Sequence, residues 1–174
     1  MNIALLSDIH DHIPHLLAAL DMAAGEGCER LFFMGDMARP ETFSTLRGEW
    51  AGPIDLVFGN NESDRAAFLR MAEAFAQTEH HGDIADLEAD GRRIAFTHTP
   101  RAAERLASDG LRDAVFFGHT HRPFQGTLLN TLLANPGEIQ GRFEPCFSIY
   151  NTNTNTVRLI KIPRQLPRVI HQTI

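Results

Sequence analysis

The sequence predicts an α/β fold of two mixed β-sheets packed face to face with helices on their outer faces, a four-layer α-β-β-α sandwich. Three observations carry this expectation. Short apolar runs alternate with helical patterns in the first half, strand-like runs follow one another closely in the second, and run after run ends in Asp, Asn or His.

In order along the chain, Ile3 to Ser7, Leu31 to Met34 and Ile54 to Phe58 are as continuously apolar as strands buried on two faces. Between them, Pro14 to Ala24 places Leu16, Leu17, Leu20 and Ala24 at helical spacing, and Arg65 to Ala76 does the same with Phe68, Leu69, Ala72 and Phe75. Strand-helix-strand order implies parallel pairing through right-handed crossovers. Strand-like runs then follow at Ile84 to Ala89, Arg93 to His98, Ala114 to Phe117, Gln125 to Leu129, Glu144 to Asn151 and Val157 to Ile162, and only Arg101 to Ser108 reads as helical there. Asp90-Gly91 is a hairpin signal. Asn151 to Thr156, alternating Asn and Thr, reads as a strand end and turn. Residues 1–174 fit one domain, with 163–174 as a tail that packs on a neighbour or frays.

A chain of 174 residues buries roughly two-thirds of its unfolded surface, so no disulfide is needed. Cys28 and Cys146 sit far apart in hydrophobic surroundings and read as free thiols, which suits a reducing, cytoplasmic location. Met1 to Leu6 is too short and lacks the basic lead-in of a signal peptide, and no run approaches the roughly 18 apolar residues of a membrane span. The formal net charge of -6 argues against nucleic acid as a partner, whose binding rests on Lys and Arg. Nine histidines, grouped at 10/12/15, 80/81 and 119/121 with 98 and 171 apart, invite a metal reading. Of these, His12, His15, His80, His81 and His171 read as solvated loop or helix residues.

The informative pattern is what stands behind each strand: Asp8 and His10, then Asp36, Asn60, His98, and finally His119 and His121. Open α/β sheets gather ligands at the carboxyl ends of their strands. Taken singly, each of these motifs is ordinary turn chemistry. Their order and common position point to a metal centre, because Asp and His are costly to bury without a partner.

Asp8-Ile9-His10, Gly35-Asp36, Gly59-Asn60-Asn61-Glu62, Thr97-His98 and Gly118-His119-Thr120-His121 together resemble the calcineurin-like metallophosphoesterase signature. Asn135-Pro136-Gly137 after the last of them resembles its small bacterial and archaeal phosphodiesterase branch. The resemblance implies that Asp8, His10 and His121 hold one divalent metal and that Asn60, His98 and His119 hold a second. Asp36 would bridge the two. It implies hydrolysis of a small phosphate ester by a metal-bound hydroxide, with Asn60 and Asn61 facing the substrate and no protein nucleophile. Manganese is the metal the resemblance suggests, and mixed N/O ligands also accept iron, zinc, nickel or cobalt.

Departures from the family pattern carry their own expectations. Asn61 stands where larger relatives carry a proton-donating His and the small branch usually has Cys, so the general acid is unassigned. Glu62 either orients a neighbour or caps a helix starting at Ser63, the cap being the preferred reading; Arg39, one residue short of where larger relatives place a phosphate-binding Arg, reads as a surface residue, and Thr99-Pro100 after His98 as a changed substrate-side wall. His119 and His121 are expected on one side of an extended segment, each serving a different metal. A non-catalytic protein-binding scaffold on the same fold is the alternative, a nuclease is disfavoured by the acidic charge, and a homo-oligomer is compatible with the sequence.

Overall fold

The structure, a computed structural model, describes residues 1–165. Arg168, His171 and most of the expected tail lie outside the described residues. The first half runs β1 (Asn2–Leu6), α1 (Ile13–Gly25), β2 (Cys28–Phe33), α2 (Pro40–Glu49), β3 (Ile54–Leu56), α3 (Arg65–Ala74) and β4 (Thr78–His80). The second half runs β5 (Ile84–Ala89), β6 (Arg92–Thr97), α4 (Pro100–Ala107), β7 (Ala114–Phe116), β8 (Phe124–Leu128), β9 (Thr131–Asn135), β10 (Cys146–Asn151) and β11 (Thr156–Lys161).

One sheet has the order β11-β10-β1-β2-β3-β4 and the other β5-β6-β7-β9-β8. β1 to β4 are parallel, as the crossovers demand, while β10 and β11 extend that sheet antiparallel. In the second sheet β6, β7 and β9 are parallel, flanked by antiparallel β5 and β8. Both sheets are therefore mixed.

Strand alternation sorts the core into layers. Ile3 and Leu5 face the second sheet and share a core with Phe32, Phe96, Phe116 and Tyr150, whereas Ala4 and Leu6 face α1 to α3 and meet Leu16, Leu20, Phe43 and Phe68. On the far side Ala103 and Ala107 of α4 cover Ala95, Val115 and Leu133. Each fully buried Leu, Ile or Phe contributes about 1.5–3 kcal/mol, so apolar packing between layers holds the strand ends in place. Pro in the first turn of α1, α2 and α4 starts those helices where no intrahelical N–H partner is needed.

Three elements were not expected from the sequence. α2 has only Phe43 and Leu46 as large buried residues among Ser, Thr and Gly, β4 is a three-residue polar edge strand, and β9 follows β8 so closely that the two apolar stretches merge. The hairpin at Asp90-Gly91 and the turn between Asn151 and Thr156 both form, each with a residue of positive φ.

Candidate metal centre

The loops leaving β1, β2, β3, β6 and β7 meet at one edge of the two sheets, and they carry all seven residues singled out above. Backbone hydrogen bonds tie them together: Asp8 N–H donates to Gly35 O and His10 N–H to Asp36 O, each at 3.0 Å, and Gly118 N–H donates to His98 O at 3.0 Å. The approach is close enough that a side chain at Gly118 would collide with Ser7 Oγ, and one at Gly59 with Asp36.

Two groups of ligand atoms converge there. Asp8, His10, Asp36 and His121 each offer an atom within 4.8 Å of all the others, and so do Asp36, His98 and His119. In the first group His121 Nε2 lies 3.3 Å and His10 Nε2 3.8 Å from Asp8 Oδ1, with His10 Nε2 also 3.6 Å from Asp36 Oδ2. In the second, His98 Nε2 lies 3.1 Å from Asn60 Oδ1, 3.2 Å from His119 Nδ1 and 3.4 Å from Asp36 Oδ2. Asp8 Oδ1 and His10 Nε2 are buried with no hydrogen-bond partner. Buried polar atoms are costly in that state, and a cation between these two is the partner their chemistry calls for. The donor set fits a divalent metal pair sharing Asp36.

The histidines are oriented from behind. His98 Nδ1 faces Met34 O at 2.6 Å, and a carbonyl can only accept, so the proton sits on Nδ1 and Nε2 keeps its lone pair. His121 Nδ1 likewise lies 2.6 Å from the buried Glu138 carboxylate, which frees Nε2 toward Asp8. The charges are coupled. Burial works against ionisation of Asp36, but the neighbouring His98, when its ring is protonated on both nitrogens, and the hydrogen bonds from Asn61 outweigh it and hold the carboxyl below the usual carboxylate range. Burial alone would push His98 down, and Asp36 reverses that; Asp8 pushes His10 up.

The backbone is unusual at the same spots. Asp8, His10, Asp36, His119 and His121 have φ of 55°, 44°, 62°, 68° and 59°. The left-handed region costs about 1–2 kcal/mol per L-residue, and a set of five at one sheet edge is strain held by packing and used to aim side chains. This corrects one expectation: His119 and His121 do not lie on an extended segment. The left-handed turns send them into different groups, His119 with His98 and His121 with Asp8.

A model of the calcineurin-like phosphoesterase superfamily domain matches residues 1–155. The chain belongs to the calcineurin-like phosphoesterase superfamily. A phosphodiesterase of Methanocaldococcus jannaschii is 27% identical over 164 residues, covering 92% of this chain and 98% of that protein. A solved archaeal phosphodiesterase superposes with a TM-score of 0.87 at 26% identity, covering 93% of this chain and all of the other. Vps29 of Entamoeba histolytica, solved with zinc, shares the fold at a TM-score of 0.66 and 15% identity, covering 93% of this chain and 98% of its own.

Within this calcineurin-like phosphoesterase, the loop after β3 differs from the sequence reading. Glu62 caps no helix, because Asp64 does so by accepting from Ala67 N–H at 2.9 Å. The Glu62 carboxylate instead accepts from Asp36 N–H, Met37 N–H and Gly59 N–H at 2.7, 3.3 and 2.9 Å, bracing the β2 loop against the β3 loop. Asn61 turns toward Asp36, its Nδ2 donating to Oδ2 at 2.6 Å and its backbone N–H to Oδ1 at 2.9 Å. Arg39 is a surface residue, paired with Asp11.

The other described histidines are less solvated than expected. His15 is buried with Nδ1 on Ile139 O and Gln140 O and stacks on His12, His80 packs on Phe58, and His81 pairs with Asp55. The partners of His15, His80 and His81 lie far away in sequence, which periodicity cannot reveal. Glu138 was also missed, since Asn135-Pro136-Gly137-Glu138 reads as a turn. The only signal was an acidic residue one step beyond a motif already noticed.

Proposed function

We infer that this chain is a metal-dependent phosphoesterase hydrolysing small phosphate esters at a centre of two divalent cations. Asp8, His10 and His121 would hold one, Asn60, His98 and His119 the other, and Asp36 both. The reading rests on two overlapping groups of ligand atoms that share Asp36 and contain the orphaned Asp8 Oδ1 and His10 Nε2. When bound, such a pair supplies a nucleophile from water near neutral pH and neutralises charge on the phosphate.

The protein's own part is positional. Asp8 and Asp36 are the only carboxylates in the two groups, and Asn60 brings a neutral oxygen, so a pair of dications keeps a net positive charge that draws a phosphate. Met34 O and Glu138 hold the protons of His98 and His121 on Nδ1, away from the centre. Asn61 beside Asp36 donates hydrogen bonds but has no proton to give a leaving group.

Manganese is the first metal to test, with iron, zinc, nickel and cobalt after it. We further read residues 1–174 as one domain acting in the cytoplasm on small substrates, a reading supported by the free thiols Cys28 and Cys146 and the acidic net charge. Among the described residues no helix is long and apolar enough to cross a membrane. A scaffold has no need of seven ligand-type residues gathered at one edge, so hydrolysis is preferred over adaptor function. The test is metal-stripped protein reloaded with each metal and assayed on phosphomonoesters and phosphodiesters. Turnover restored by metal, and lost together with bound metal in Asp36→Asn, is the expected result; full activity of Asp36→Asn at unchanged metal content would overturn it.

A further inference from the structure

Beside the candidate metal centre lies a cavity of about 450 Å³, within the range of small-molecule pockets. Its floor includes Asn60 and His98, so it is continuous with the His98 side of the centre. Phe58, Ile84 and Ala102 supply apolar wall, and Arg65, Arg105 and Asp83 supply charge. Arg65 is fixed: its guanidinium lies 4.5 Å above the Phe58 ring, donates to Gly59 O at 2.8 Å, and reaches Asp83 at 3.2 Å. Asp83 thus accounts for one of the two cations. Arg105, exposed at the cavity's rim on the last turn of α4, has no carboxylate or hydrogen-bond partner among the described residues. In a chain with a formal net charge of -6, an excess cation facing a cavity beside the centre calls for an anionic ligand.

We propose that this cavity receives the organic arm of the ester and that Arg105 selects arms carrying a second anionic group, a carboxylate or a further phosphate. The substrate class is then an asymmetric phosphodiester with a compact, partly apolar arm bearing its own negative charge. Phe58, Ile84 and Ala102 contact the apolar part of the arm. Arg105 meets the anion by a charge-assisted bond, the kind that adds geometric choice as well as energy. This rests on the phosphoesterase reading for the position of the scissile phosphate, while the selection itself is an equilibrium property of the cavity.

The test compares two phosphodiesters with the same 4-nitrophenyl leaving group, one with a phenyl and one with a 3-carboxyphenyl arm. Phenylphosphonate and 3-carboxyphenylphosphonate, which are not turned over, are compared by equilibrium dialysis against metal-loaded and metal-free protein. The carboxylated member of each pair is expected to have a KM or Kd lower by about tenfold, as one charge-assisted bond provides. Arg105→Gln should bring that ratio close to one, Arg105→Lys should keep part of it, and Arg101→Gln, exposed on the same helix and outside the cavity, should keep all of it. A wild-type ratio near one, or a ratio unchanged in Arg105→Gln, overturns the proposal. Loaded protein that turns over neither ester refutes the hydrolase reading, whereas the phosphonate ratio and its loss in Arg105→Gln still support the cavity's selectivity.

Discussion

Replacing Glu138 by Gln tests how much of the metal centre is built from behind its ligands. Glu138 is fully buried and accepts two hydrogen bonds, from His121 Nδ1 at 2.6 Å through Oε2 and from Phe143 N–H through Oε1. Glutamine keeps the shape but has one oxygen where two acceptors are needed. If that oxygen faces Phe143, the amide NH₂ confronts His121 Nδ1 and drives its proton to Nε2, the atom aimed at Asp8. If it faces His121, the Phe143 N–H is left without a partner. Either outcome costs about 1–3 kcal/mol, which corresponds to roughly 5- to 150-fold and brackets the 10- to 100-fold typical of losing such an outer partner. Calorimetric titration of metal-stripped protein with manganese should show one binding step weakened by about that factor. The step assigned to Asn60, His98 and His119 should change little. Two steps both within twofold of wild type would refute the reasoning.

Replacing His119 or His121 by Ala should remove metal unequally, since the two belong to different groups; identical residual stoichiometry by elemental analysis would count against the split. Because Asn61 cannot protonate a leaving group, kcat should fall steeply along a series of esters of rising leaving-group pKa, and Asn61→His should flatten the slope by restoring part of a contribution typically worth about 10²- to 10⁴-fold. A wild-type rate indifferent to leaving group would mean another residue gives the proton. Burial against Phe58, reinforced by His81 and Arg65, pushes His80 down from its ordinary 6.5 to about 4. The fold therefore keeps His80 neutral, and its contribution is complete above pH 6.5 and lost as pH falls toward 4. For a half-buried ring this amounts to on the order of 1–2 kcal/mol once screening is allowed for. Urea denaturation of wild type and His80→Asn from pH 7 to 4 should differ in slope, and parallel curves would exclude this source of acid sensitivity.

Much of this was legible in the sequence because strand ends are local events. Asp8, Asp36, Asn60, His98 and His119 each follow an apolar run within a few residues, so the sheet edge that collects them could be inferred from order alone. What could not be read depended on partners far away. Glu62 sits beside a helix start, and only the packing of the β2 loop against the β3 loop shows its carboxylate bracing both. Glu138, after β9, reaches His121 on the loop after β7, and α2 owes its place to Phe43 and Leu46 meeting a core already formed by others. Backbone sign was invisible as well: nothing in Gly118-His119-Thr120-His121 announces two left-handed residues.

The pairing of β1 has a consequence for how the chain is made. Asp8 leaves the ribosome early, yet the strand before it is flanked by β2 on one side and by β10 on the other, and His119 reaches Asp8 across 111 positions of sequence. Contacts that distant are expensive to close and form late. During synthesis the early half therefore carries Asp8, His10, Asp36 and Asn60 while still lacking every ligand from the second sheet. The seven candidate ligands therefore come together only once both sheets have docked.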